Sequence, residues 1–207
     1  ANAYPMNSET ALAVGKAVAA HFKNSSVTSA KHLVIGQDTR LSGDMLAQAV
    51  AAGACAAGAD VHMVGVLPTP GIAYLAASTG ALAGVVISAS HNPYEDNGIK
   101  LFGGNGYKLA DEFEEKIESL IFSLNNGYLA QSKAIGRLRT LTTANSQYLA
   151  FLRSAGACRD FNDLSIVLDC AHGATYQVAP ELFRRLGCNV VSLYCAPDGT
   201  NINEQCG

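Results

Sequence analysis

Ala83-Gly84-Val85-Val86-Ile87-Ser88 is an apolar run that ends in a long polar stretch, Ala89-Ser90-His91-Asn92-Pro93-Tyr94-Glu95-Asp96-Asn97-Gly98. A short apolar run bounded by turn residues is the pattern of a strand buried on both faces, as strands of parallel sheets are. Pro93 biases Asn92 away from helical backbone, so the polar stretch does not wind directly into a following element. The reading is therefore a buried strand that delivers a loop.

The same unit recurs on either side. Upstream, Lys31 to Gly36 reads as a buried strand, Gln37 to Ser42 as a polar loop, and Gly43 to Ala57 as a helix with Leu46, Ala49, Val50 and Gly53 on one face, ended by Gly58. The strand Asp60 to Val66 follows, Pro68-Thr69-Pro70-Gly71 reads as a break, and a short helix spans Ile72 to Ser78. Before all of these, Asn7 or Ser8 caps a helix running to about Phe22. Downstream, Ile99 to Phe102 is a short extended piece and Gly103-Gly104-Asn105-Gly106 a tight turn. Asp111 to Leu124 is an amphipathic helix whose glutamates form a solvated face. Periodicity is weak from Asn125 to Thr143, and a boundary near Thr142 divides the chain into units 1–141 and 142–207. The second unit reads as helix (Ala144 to Ala155), strand (Ser165 to Asp169), helix (Thr175 to Leu186) and strand (Asn189 to Tyr194). Alternating strands and helices predict an α/β fold, a mostly parallel or mixed sheet with helices on both faces.

Composition agrees. Of 207 residues, 49% are hydrophobic and 15% charged, enough to bury a core and too apolar for a disordered chain. The formal net charge of −3 comes with no basic block, which speaks against a nucleic-acid partner. The apolar stretches are too short for a membrane span, and Lys16, His21 and Lys23 interrupt the first helix. No basic region leads into an apolar run as in a signal peptide, although a start at Ala1 rather than Met leaves room for an upstream segment. The six cysteines have irregular spacing and no C-x-x-C pair, so they read as reduced thiols of a cytoplasmic protein.

In open parallel sheets ligands bind beyond the carboxyl ends of the strands. Four loops qualify: 37–43, 68–71, 88–98 and 170–174. The third is the richest. Ser90 needs an adjacent base or a reactive partner to act as a nucleophile; His91 adjoins it and Lys100 follows closely. Loop composition alone does not separate this reading from a polar turn with a capping serine. Asp38 and Arg40 fit a cap with a surface ion pair, or support of a phosphate or of the catalytic loop by Arg40. Cys170 and His172 lack the further ligands a zinc site needs. His21, His32 and His62 fall on helix or strand positions and read as structural or surface histidines. The glycines at 103–106 do not form a G-x-x-x-x-G-K-[ST] phosphate loop.

The run from Gly84 to Phe102, with Ser88-Ala89-Ser90-His91-Asn92-Pro93 at its centre, closely resembles the phosphoserine loop of the α-D-phosphohexomutase family. Gly36-Gln37-Asp38-Thr39-Arg40-Leu41-Ser42-Gly43 and Pro68-Thr69-Pro70-Gly71 resemble further motifs of that family in the expected order. Ser88, the stretch Asp169 to Tyr176 and the ending Asp198 to Gly207 are most similar to the branch acting on glucosamine phosphate. The resemblance implies domain 1 of such a mutase plus the truncated start of a similar domain 2. It implies interconversion of glucosamine 6-phosphate and glucosamine 1-phosphate through a phosphoserine at Ser90 and a 1,6-bisphosphate, for UDP-N-acetylglucosamine and peptidoglycan precursors. It also implies His91 and Lys100 in proton transfer or phosphate orientation, without fixing which is the base, and Arg40 and Asn92 in substrate or phosphate support. Magnesium would be bound through the phosphate on Ser90, and a bisphosphorylated hexose would serve as activator. The remaining expectations are a phosphosugar substrate, a homodimer of the full-length protein and a fragment inactive alone. The Asp-Gly-Asp-Gly-Asp-Arg metal loop, the sugar-selecting loop, the C-terminal domain and the family's first strand do not occur in this sequence. A mannose- or glucose-phosphate mutase and a non-catalytic phosphosugar-binding module are the alternatives.

Overall fold

The computed structural model describes residues 1–24, 31–123, 129–156 and 161–206. Thirteen principal elements run in chain order: α1 (Ser8–Asn24), β1 (His32–Gln37), α2 (Gly43–Ala56), β2 (Asp60–Val66), α3 (Thr69–Ser78), β3 (Ala83–Ile87), β4 (Ile99–Gly103), α4 (Asp111–Ser123), β5 (Leu138–Thr140), α5 (Ala144–Ala155), β6 (Ser165–Asp169), α6 (Val178–Arg185) and β7 (Asn189–Leu193). Asn7 caps α1, its Oδ1 accepting the Thr10 amide at 2.9 Å.

Five strands form one sheet in the order β4-β3-β1-β2-β5. Pairings are parallel except for β4, which runs antiparallel to β3 with Val86 opposite Lys100 and Ile87 opposite Ile99. The sheet is thus mixed, and period-two alternation sorts its side chains onto two cores. Leu33, Ile35, Val61, Val85 and Ile87 pack with residues of α1, α2 and α4. Val34, Val64 and Val86 face the other way, toward Ile72 and Leu75 of α3 and Tyr148 and Leu149 of α5. Helices therefore cover both faces, as the alternating pattern requires. Leu33, Ile35, Leu46, Ile72 and Leu75 are fully buried, and each such side chain contributes about 1.5–3 kcal/mol through the water-exposed area it removes.

Two glycines set how closely α1 and α2 cross. A Cβ on Gly15 would overlap the Val50 carbonyl, and one on Gly53 would overlap the Leu12 carbonyl. The two backbones thus touch where neither residue has a side chain.

β6 and β7 pair in parallel as a separate two-stranded sheet. The two parts are joined through helices: Tyr74 of α3 stacks on Phe151 of α5 with ring centroids 4.1 Å apart, and Val178 of α6 enters the same core. Val167, Val191 and Leu193 of the small sheet are exposed.

Three local expectations need correction. Pro68-Thr69-Pro70-Gly71 ends β2 as expected, but α3 begins at Thr69 rather than Ile72, with proline in its first turn. There its missing N–H has no intrahelical partner to lose. α6 begins at Val178 rather than Thr175, residues 173–177 being turns. β5 was not anticipated: it is three residues long, all exposed, and pairs with β2 only along Val61 to Met63. Among the described residues no helix is long and apolar enough to cross a membrane.

Candidate active site

The loop after β1 and the loop after β3 lie side by side at the carboxyl ends of these two parallel neighbours, and the loop after β6 reaches the first of them. Loop 88–98 leaves the sheet at β3 and re-enters at its neighbour β4, with the Ser88 amide donating to the Gly98 carbonyl at 2.9 Å. Antiparallel β4 makes this return possible, so both ends of the loop are held by the sheet.

Arg40 fixes the middle of that loop. Its Nη1 donates to Asp38 Oδ2 at 2.7 Å and its Nε to the Asp96 carbonyl at 2.8 Å. Its Nη2 donates to the carbonyls of Ser90 at 3.2 Å and Asn92 at 2.6 Å. The Arg40 side chain is 0% exposed and that of Asp38 6%, which corrects the expectation of a surface ion pair. Asp38 Oδ1 also accepts the Arg40 amide at 3.1 Å. A rigid planar guanidinium suits this work because its donors diverge in a fixed fork. Arg40 thus supports the loop backbone, with its side chain buried away from solvent.

Ser90 has φ of +59°, in the left-handed region where a non-glycine residue costs of order 1 kcal/mol or more. Ser88 Oγ accepts the Ser90 amide at 3.1 Å, and Arg40 holds the carbonyl. The backbone is therefore pinned on both sides while the residue itself is exposed. Asn92, singled out for phosphate support, directs its Nδ2 to Asp96 Oδ2 at 3.0 Å across the loop. Asn97 Nδ2 donates to Ser42 Oγ at 2.9 Å, tying the loop to the start of α2.

His91 is exposed and lines a cleft of about 510 Å³ together with Glu95, Thr200, Asn203 and Glu204. Lys100 is exposed on β4, opposite Val86 and on the sheet face shared by Val86 and Phe102. The structure thus gathers Ser90, His91, Asn92 and Arg40 in one loop cluster and sets Lys100 on the strand that the loop leads into.

The loop after β6 and the tail after β7 contribute what the sequence reading missed. Thr39 Oγ1 donates to the His172 carbonyl at 2.5 Å, and the Leu41 amide to the Gly199 carbonyl at 2.8 Å. Asn203 Nδ2 donates to the carbonyls of Ser90 and Asn92, each at 3.2 Å. Asn203 lies more than 100 residues from those carbonyls in sequence, and a single Asn in a polar tail carries no local signal of such a contact. Asp198 orders the tail: its Oδ1 accepts the amides of Thr200 and Asn201, bonds that hold its carboxyl below the usual range.

His172 is held as well, its Nδ1 accepting the Ala196 amide at 3.2 Å. Burial, with a hydrogen bond to Cys195, pushes the Cys170 thiol up to about 11, so it is protonated at neutral pH and a poor nucleophile or ligand. His32 and His62 stack with centroids 4.3 Å apart, and His32 Nε2 lies 3.1 Å from Thr79 Oγ1, away from the loop cluster. Among the described residues no group of three or more His, Cys, Asp or Glu is arranged to hold a metal ion. Magnesium is bound through more than one carboxylate or phosphate oxygen. The donors among the described residues do not by themselves complete a magnesium site.

The family model for phosphoglucomutase/phosphomannomutase, alpha/beta/alpha domain I, matches residues 1–127. A phosphoglucosamine mutase of Desulforudis audaxviator is 52% identical over 203 residues, covering 98% of this chain and 44% of that protein. One from Citrifermentans bemidjiense is 50% identical over 209 residues, covering 100% of this chain and 46% of that protein. The chain thus spans less than half the length of these curated relatives. Among solved structures, a phosphoglucomutase/phosphomannomutase family protein of Burkholderia thailandensis superposes with a TM-score of 0.80 at 27% identity, covering 95% of this chain and 42% of that one.

Proposed function

The chain belongs to the phosphoglucomutase/phosphomannomutase family, and on that premise we propose that it is the phosphoserine-bearing part of a phosphoglucosamine mutase. Its units are 1–141, a first domain with the phosphoserine loop, and 142–207, the start of a second. The observation that carries the reading is Ser90: exposed, at φ +59°, on a loop pinned by a buried arginine. Identity near 50% to phosphoglucosamine mutases along the chain supports glucosamine phosphate as the substrate.

The chemistry follows from that placement. With Ser90 phosphorylated, the free hydroxyl of glucosamine 6-phosphate attacks phosphorus. The bond from phosphorus to Ser90 Oγ breaks, a bond to the sugar oxygen forms, and the hydroxyl proton passes to a base. His91 and Lys100 are the residues for that proton or for orienting the phosphate. The 1,6-bisphosphate then reorients and returns its other phosphoryl group to Ser90 Oγ, leaving glucosamine 1-phosphate. A bisphosphorylated hexose primes Ser90 by the same transfer. Catalysis of this kind is mainly positioning and charge stabilisation, which a loop locked by Arg40 serves. We place the reaction in the cytoplasm, ahead of UDP-N-acetylglucosamine synthesis, and propose a homodimer for the full-length enzyme.

Phosphopeptide mass spectrometry of the full-length enzyme after incubation with a hexose bisphosphate tests the assignment. Phosphate on Ser90, lost together with turnover in Ser90→Ala, is the expected result; phosphate elsewhere with activity intact sinks it. The 207-residue chain alone is expected to show negligible turnover, and robust glucosamine 1-phosphate formation by it refutes that statement. A panel of glucosamine, mannose and glucose phosphates tests the sugar, with glucosamine phosphate turned over best.

A further inference from the structure

We infer that Asn203 is a positioning residue for Ser90, the second jaw of a clamp whose first jaw is Arg40. The inference rests on the reading of Ser90 as the phosphoryl carrier.

Two carbonyl oxygens, those of Ser90 and Asn92, face two NH2 groups, Arg40 Nη2 and Asn203 Nδ2. Each NH2 donates one hydrogen to each carbonyl. A carbonyl oxygen has two lone pairs, so both acceptors are filled and both donor groups fully used. Arg40 approaches from behind the loop on a buried side chain, and Asn203 from the tail after β7. Four heavy-atom contacts between 2.6 and 3.2 Å bracket the peptide segment that carries Ser90 and His91.

The Asn203 jaw has its own anchor. Its amide donates to the Ala171 carbonyl at 2.9 Å, and the Ala171 amide donates to Asp169 Oδ1 at 2.9 Å at the end of β6. Asn203 has φ of +61°, a conformation asparagine tolerates better than most residues. The contact is therefore continuous from the small sheet to the serine: Asp169, Ala171, Asn203, then the Ser90 and Asn92 carbonyls. Ser90 also sits in a left-handed conformation, and removing one jaw frees it toward ordinary backbone angles. Asn203 touches neither Ser90 Oγ nor His91 through any hydrogen bond in the structure. Its role is to hold the backbone, so its loss acts on the transfer step more than on sugar binding.

Asn203→Asp and Asn203→Gly in the full-length mutase separate the side chain from the backbone. Aspartate keeps size and tolerance of positive φ but turns an acceptor toward two carbonyl oxygens. Glycine accepts the φ freely and removes the amide. In both, kcat is expected to fall about 10-fold or more, the scale expected for a displacement of a fraction of an ångström, with KM within about twofold and phosphate on Ser90 acquired correspondingly more slowly. A purely structural role for the turn predicts wild-type kcat in Asn203→Gly, and that result overturns the inference. If Asn203→Asp does not fold, the melting curve and kinetics of Asn203→Gly decide alone. Wild-type enzyme that never carries phosphate on Ser90 overturns the functional reading instead, whereas phosphorylated wild type with unchanged variants overturns only the clamp.

Discussion

Replacing Arg40 with alanine removes four links at once, the ion pair to Asp38 and hydrogen bonds to the carbonyls of Ser90, Asn92 and Asp96, together with the buried stem that carries them. The cost has two parts. Asp38 keeps its carboxylate, 6% exposed, without its cation; breaking a buried pair by removing one partner costs about 3–5 kcal/mol. Of the three carbonyls, the Asp96 oxygen loses the Arg40 donor outright, and a charged hydrogen bond is worth about 1.5–3 kcal/mol. These contributions share one side chain and do not simply add, so the expected loss is about 3–5 kcal/mol rather than their sum. For a chain of this size, at about 2–4 °C per kcal/mol, Tm falls by about 6 °C or more. Urea denaturation of wild type and Arg40→Ala reads the difference directly. The pair Asp38→Asn with Arg40→Met removes both charges and recovers part of the stability, because the buried carboxylate is no longer stranded. A loss below about 1 kcal/mol, the range of an exposed pair, refutes the picture of a buried clamp.

The other expectations are smaller in scope. Gly15→Ala and Gly53→Ala each push a methyl group into a carbonyl of the facing helix and are expected to cost about 1–3 kcal/mol, as overpacking does; unchanged melting temperatures contradict the close crossing. Burial, then the neighbouring His62, hold His32 below its ordinary 6.5, with Asp60 opposing. The unfolded chain therefore binds a proton that the folded chain resists, and stability falls as pH drops through about 6.5. His62→Phe keeps a stacked ring without the charge, so its melting temperature falls less between about pH 7 and pH 5 than that of wild type. Cys170, held near 11, reacts with a thiol reagent at pH 8 far more slowly in the folded than in the unfolded protein, and mass mapping of the label checks this. Its contribution to stability is present below 9.0 and is lost as pH rises toward about 11.

Local patterning carried most of the fold. The buried run Ala83 to Ile87, the amphipathic helix after Gly43 and the element Ala144–Ala155 are legible because apolar spacing reports burial directly, whereas Ser165–Asp169 is legible from its apolar, β-branched run although none of its residues is buried. β5 is not legible: Leu138, Arg139 and Thr140 are all exposed, and pairing with β2 rather than burial makes them a strand. Pro68-Thr69-Pro70-Gly71 marks the end of β2 correctly but hides the start of α3, because proline ends a strand and opens a helix with the same residue. The loop at Ser90 stood out by composition, whereas its supports did not. A polar Asp38-Thr39-Arg40 reads as surface until the sheet is assembled around it. Asn203 acquires its partners only when the tail folds back across more than 100 residues.

The return of loop 88–98 to an adjacent strand has a consequence for how such a site can change. Ends held together by neighbouring strands decouple loop length from the sheet: residues added between Ser88 and Gly98 shift no strand register. Closure itself is lenient, since doubling a flexible loop costs only about 0.6 kcal/mol. The constraint lies in the guanidinium of Arg40, whose donors must meet the carbonyls of residues 90, 92 and 96 together. The loop is in effect a cassette with a gauge built into its back wall: a version one residue longer or shorter between those carbonyls no longer fits the gauge.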